Sequence, residues 1–158
     1  MSQTKLIEPS TVHDYIMTHL DGVSPAETWG ETAFFYNPGQ ILSRGTYFAT
    51  IKPKDGANDN ASHLDRPGLW RLNLGVSKGA YLELFGPPPE RPGKGGIVAG
   101  DWDFTTPNLI TPHPVYGWMS WIAVINPTGE TWGKCCTLIT DAHARAAKRF
   151  KQRVKQKA

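Results

Sequence analysis

Cysteine is scarce. The 158 residues hold two, adjacent at Cys135 and Cys136, and such a pair cannot staple a small fold, so a disulfide scaffold is excluded. Long apolar runs are absent as well. No stretch approaches the ~18 uninterrupted apolar residues of a membrane span. Polar sequence begins at once with Ser2, Gln3, Thr4 and Lys5, so no secretory leader is expected and a cytoplasmic location is. There is no internal repeat. Charged residues make up only 20% and hydrophobic ones 39%, which argues against a disordered chain. The length suits one domain across residues 1–158, at ~100–200 residues per domain.

Acidic residues are missing from the C-terminal end. All 14 lie before Arg145, together with ten basic ones, while seven bases follow from Arg145 to Lys157. The body is therefore net acidic and the end strongly basic. Lys and Arg suit a helix C-terminus through the macrodipole, which is the plainest reading of the run. A phosphate backbone and the acidic body itself are its other candidate partners.

Hydrophobic periodicity predicts the elements. Val12, Ile16 and Leu20 mark a helix over 10–20, capped by Ser10 or Thr11. Thr28–Asn37 and Thr46–Lys52 read as strands, rich in aromatic and β-branched residues. Pro53–Ser62 is polar and turn-forming. Leu69–Val76 alternates strictly, which predicts a half-buried strand with Arg71 and Asn73 together on its polar face. A short helix follows over 77–85. Gly86–Gly100 is crowded with proline and glycine and forms a long surface loop, a candidate lid. Tyr116–Asn126 is apolar at both parities and predicts a central strand. A long helix then covers 129–155, with Cys135, Ile139, Ala142, Ala146 and Phe150 on its buried stripe. The expected fold is α+β: an antiparallel sheet of about four to six strands, with the N-terminal helix and the long C-terminal helix packed on it.

Three chemistries compete. His63, Asp65, Asp101, Asp103 and His113 are nitrogen and carboxylate donors of the kind that bind zinc or iron. Their spacing is short and common, and Asp65 and Asp103 equally suit turn caps, so no metal or other cofactor is assigned; any metal would fall to His63, Asp101, Asp103 and His113. Ser120 lacks the Gly-x-Ser-x-Gly elbow of a hydrolase nucleophile. A small-molecule pocket fits better, since six tryptophans and five tyrosines supply rigid apolar walls. Arg71 would hold an anionic group and Asn73 orient it, with Tyr116 and Trp118 as the wall and His63 and His113 also among the pocket residues. Arg71 could instead pair structurally with Asp65, Asp101 or Asp103.

Several runs also form a pattern: Asp65-Arg66-Pro67-Gly68, Arg71-Leu72-Asn73 with Gly75-Val76, Leu84-Phe85-Gly86-Pro87-Pro88, Asp103-Phe104, and His113-Pro114-Val115-Tyr116-Gly117 with Ser120-Trp121 and Asn126-Pro127. The chain resembles in these an uncharacterised bacterial family, the domain of unknown function DUF6194. The basic C-terminal end looks like an addition to that pattern. More distantly, the element order is similar to the mitomycin-resistance-protein-like group, with its frataxin-like fold. The resemblance implies no reaction. The expected role is a domain binding a small molecule or anionic ligand. An enzyme using the His and Asp residues, with or without a metal, is the second reading. A nucleic-acid or protein interaction through the basic helix end is the third.

Overall fold

A computed structural model describes residues 6–157, with side chains to residue 156. Met1–Lys5, on which the expectation about a leader rests, lie outside the described residues. The elements run α1 (Pro9–His19), β1 (Val23–Thr28), β2 (Glu31–Tyr36), β3 (Thr46–Lys52), β4 (Arg71–Gly75), α2 (Lys78–Phe85), β5 (Thr111–Pro112), β6 (Trp121–Ile125) and α3 (Gly129–Lys157). The strands form one six-stranded sheet in the order β1-β2-β3-β4-β6-β5, and every pairing is antiparallel. The fold is the α+β arrangement that the periodicity predicts. No helix among the described residues is long and apolar enough to cross a membrane.

One sheet face carries the core. Phe34, Phe48, Leu72, Leu74, Ile122 and Val124 meet Val12 and Ile16 of α1 and Cys135, Ile139, Ala142 and Ala146 of α3. The stripe expected on α3 is thus the buried one, because residues three and four apart share a helix face. Asp141 of the same helix accepts from the backbone N–H and the hydroxyl of Ser77, at 2.7 and 2.9 Å. Ser77 in turn caps α2 by accepting from Ala80 N at 3.1 Å, so the two helices are tied through one polar joint.

Four expectations need correction. The strand expected over 28–37 is the second arm of a hairpin, β2, whose first arm, β1, precedes it; the two are joined by Trp29-Gly30. Both joining residues have positive φ, 57° and 72°, as a type I′ turn requires. The strand expected over 116–126 begins only at Trp121. Gly117–Met119 make a 3-10 turn, and Ser120 is left-handed at φ 68°, which breaks the alternation on which Tyr116 and Trp118 were placed. Strand β4 is buried along its whole length rather than half-buried, since loops cover its polar face. Helix α1 starts a residue early: Thr11 Oγ1 accepts from the Glu8 N–H at 3.1 Å, so Glu8 occupies the cap position.

The sheet face away from the helices holds Lys52, Arg71 and Asn73. The register sets Lys52 beside Arg71, and Thr50 beside Asn73. Two loops close over this face. In the first, Asp55 and Asp65 cross-brace the chain: Asp55 N donates to Asp65 Oδ1 at 3.0 Å, and Leu64 N to Asp55 Oδ1 at 2.8 Å. Arg66 then fastens that loop to the second. Its guanidinium donates to the carbonyls of Ser62, His63 and Thr105 at 2.7–3.1 Å. Asn126 closes the far end by accepting from Trp70 N and donating to the Gly68 carbonyl.

Candidate functional site

Arg71 lies 1% exposed in the middle of this polar face. A guanidinium offers five N–H donors, and the surroundings take up four of them. Nε donates to Asn73 Oδ1 at 2.7 Å. Nη1 donates to Asp59 Oδ1 at 3.0 Å and to Ser62 Oγ at 2.9 Å. Nη2 donates to Asp59 Oδ2, completing a bidentate pair. The last Nη2 hydrogen faces His113 Nε2, 3.1 Å away. The expected roles of Arg71 change accordingly. Four of its five donors are used inside the protein, and its structural partner is Asp59 rather than Asp65, Asp101 or Asp103.

Burial pushes the Asp59 carboxyl up, but the hydrogen bonds and charge of Arg71 outweigh that and leave its pKa below the ordinary value. Asp59 is delivered by a tight turn in which Gly56 and Asp59 exchange backbone hydrogen bonds at 3.0 and 3.3 Å.

His113 is delivered by β5. Thr111 and Pro112 pair with β6, and His113 N donates to the Trp121 carbonyl at 2.9 Å. Its Nδ1 accepts from the backbone N–H groups of Val115 and Tyr116, both at 3.1 Å. The neutral ring therefore carries its proton on Nε2, facing Asp59 Oδ2 at 3.6 Å. Burial, and next the Arg71 charge, pull the His113 pKa down to about 3. At neutral pH this histidine is an uncharged structural bridge.

A pocket of about 420 Å³ opens in front of this cluster, within the size range of small-ligand sites. Asp59, Asn73, His113, Thr50 and Lys52 line its floor, and Trp29, Tyr47, Tyr116 and Trp121 line its walls, with Glu31 at one side. The wall is itself a packed cluster. Trp29 and Tyr47 centroids are 5.4 Å apart, and Tyr47 and Trp121 5.2 Å. Trp121 lies flat across Gly75, where an added Cβ would come within 2.7 Å of the indole, so glycine there is what admits the ring.

The expected site residues thus divide. Arg71, Asn73 and His113 come together, and Tyr116 joins them at the mouth. His63 is exposed at the outer side of its loop and does not line the pocket. Trp118 packs away from it, donating to the Val115 carbonyl at 3.1 Å with Arg91 stacked over its ring at 4.8 Å. Trp121 takes the wall position instead. The metal set does not assemble. Asp103 accepts from the backbone and hydroxyls of Thr105 and Thr106, as a turn cap does. No group of three or more His, Cys, Asp or Glu side chains among the described residues is placed to hold a metal ion. The Gly86–Gly100 loop contributes nothing to the pocket lining; the covering segment is 56–59.

Sequence reasoning missed Lys52 and Asp59. Lys52 is 6% exposed and ends its strand as a lysine at a sheet edge would. Its ammonium has no ion pair among the described residues, where the ion pairs involve Arg71, His113 and His143, and it faces the pocket. Both amide hydrogens of Asn73 are used, since Nδ2 donates to Thr50 Oγ1 at 3.0 Å and to Glu31 Oε1 at 3.3 Å.

The chain belongs to the family of unknown function DUF6194, whose pattern it matches over residues 7–155. That match includes the basic end of α3, which is part of the pattern and not an addition to it. No curated protein and no solved structure matches the chain, so the similarity to the mitomycin-resistance-protein-like group rests on element order alone.

Two outcomes follow from the cluster. Asp59→Asn leaves Arg71 buried without its counter-charge and lowers unfolding stability by about 3–5 kcal/mol, measured by urea denaturation at pH 7. The second concerns pH. In the unfolded chain His113 binds a proton near its ordinary pKa of about 6.5, whereas in the folded protein it does so only at about 3. The unfolded state therefore binds more protons in that window. The contribution of His113 is intact above about pH 6.5 and is lost as pH falls, by up to about 1.4 kcal/mol per pH unit. A His113→Asn variant keeps an acceptor for Val115 and Tyr116. Its stability should fall less steeply from pH 6 to pH 4, and an equal slope would contradict the assignment.

Proposed function

We propose that the protein is a binding domain for a small anionic ligand with a planar or apolar body, seated in the pocket on the open sheet face. One observation carries this reading: the Lys52 side chain is buried, its ammonium has no ion-pair partner among the described residues, and it lines a space walled by aromatic rings. A buried charge without a partner costs stability, so such a lysine is the natural seat of a ligand carboxylate or similar acceptor. Lys52 takes over the role that the sequence suggested for Arg71.

The rest of the pocket supports the same chemistry. Arg71, Asp59 and His113 hold one another, so the floor is set before a ligand arrives, and preorganisation reduces the cost of binding. Trp29, Tyr47, Tyr116 and Trp121 offer flat apolar area, with Trp29 and Tyr116 about half exposed at the mouth. Glu31 can accept a donor from the ligand, as only one of its oxygens meets Asn73. The two cysteines are free, which suits a reducing, cytoplasmic setting.

The test is a panel of small aromatic and heteroaromatic carboxylates scored by thermal shift, then titrated against wild type and Lys52→Met. Methionine keeps the length of the side chain and removes the charge. Stability without ligand should change by less than about 1 kcal/mol, because no ion pair is lost. Affinity for the binding acids should fall about tenfold to hundredfold, the worth of a charge-assisted hydrogen bond. Equal affinity in the two proteins would remove Lys52 from the site.

A further inference from the structure

A second groove, of about 390 Å³, adjoins the pocket across the aromatic wall, and Trp29, Tyr47 and Trp121 line both. Its charged lining is Arg44, Arg145, Arg149 and Arg153, with no acidic residue. Three of these come from α3 at four-residue steps, which places them in one row on the helix. The fourth precedes β3. None of the four pairs with a carboxylate among the described residues.

Two of the heads are held in place. Arg44 stacks over the rings of Trp29 and Phe35, at 5.3 and 5.6 Å from their centroids, as cation–π contacts do. Arg153 donates to Thr46 Oγ1 at 3.0 Å and to the Arg44 carbonyl at 3.1 Å. Arg145 and Arg149 make no side-chain hydrogen bond to the protein among the described residues, and their forks are open. Burial, and then the neighbouring charge of Arg149, draw the Arg145 pKa below its ordinary value. Asp141, one turn before Arg145 on α3, offsets part of this charge from outside the groove, but four like charges with no carboxylate among them repel one another, and an anion in the groove relieves that repulsion.

We propose that this groove is a phosphate site, taking the phosphate group of a small phosphorylated compound between Arg44, Arg145 and Arg149. Guanidinium forks match phosphate oxygens two at a time, and the open forks of Arg145 and Arg149 offer more donors than one carboxylate can use. The shape favours a small ligand over a nucleic-acid strand. The row from Arg145 to Arg153 spans only about 12 Å of helix. Lys148 and Lys151, which would extend a strip for a polynucleotide backbone, do not line the groove. The site shares the aromatic wall with the neighbouring pocket but none of its charged residues.

The test uses inorganic pyrophosphate as the probe, titrated calorimetrically into the full chain at moderate salt. Wild type should bind, and Arg149→Ala should bind at least about tenfold more weakly, the loss of charge-assisted hydrogen bonds. Arg149 is exposed, so the substitution should leave the fold intact, which circular dichroism checks. Lys148→Ala removes the same charge from the same helix outside the groove, and its affinity should stay within about twofold of wild type, since exposed charges away from a site contribute little. Absence of pyrophosphate binding would overturn the proposal. So would equal losses in the two variants, which would reduce the effect to net charge. Retention of a single-stranded oligonucleotide by a wild-type protein that ignores pyrophosphate would do the same and would assign the arginines to nucleic acid.

Discussion

Burying the Arg71 guanidinium on the open face of the sheet is the constraint from which the site follows. A charge removed from water costs several kcal/mol unless it is paired and hydrogen-bonded. Strand β4 places Arg71 where no helix covers it, so loops must supply the partners. The segment around 55–66 delivers Asp59 and Ser62, and the segment around 111–116 delivers His113. Arg66 and the Asp55–Asp65 brace hold the first loop in place. The pocket is the space left between these two loops and the strands. Asp59 gives both its oxygens to Arg71, which leaves Lys52, its neighbour in the register, without an ion pair.

Charge asymmetry along the chain also finds its place. The basic residues of the C-terminal end do not simply trail into solvent. Arg145, Arg149 and Arg153 return along α3 to meet Arg44 beside the aromatic wall. One aromatic cluster thus separates a pocket lined by a single cation, Lys52, from a groove with four exposed or half-buried ones. The rings do different work on the two sides. They present flat apolar area toward the pocket, while Trp29 and Phe35 carry the stacked head of Arg44 toward the groove.

Much of the frame was legible in the sequence because it depends on local periodicity. The row from Cys135 to Phe150 marks α3, β-branched and aromatic residues bound β3 as found, and alternation marks β4. Strand β1 was not legible. Ser24-Pro25-Ala26-Glu27 has little strand preference, and it survives at the sheet edge, where a proline without a donor is tolerated. Trp29-Gly30 lacks the Asn-Gly or Asp-Gly sequence that usually marks a two-residue hairpin. Of the site, the conjunction of Arg71, Asn73 and His113 could be read from parity and from loop-to-strand junctions. Asp59 could not, since an aspartate in Asn58-Asp59-Asn60 reads as turn chemistry and only tertiary structure carries it to Arg71. Trp121 was displaced by Trp118 because the 3-10 turn and left-handed Ser120 shift the phase of the strand, and neither leaves a clear mark in composition.

The central claim is that Arg71, Asp59 and a neutral His113 form one fixed cluster beneath the pocket. Nitrogen-15 NMR of the histidine rings tests it most directly, followed from pH 7 to pH 4 with His113 assigned by substitution. The account predicts a neutral His113 with its proton on Nε2, an unprotonated Nδ1 and shifts that do not move across this range. An ordinary titration with a midpoint near 6.5, the value of about an unperturbed histidine, would contradict it.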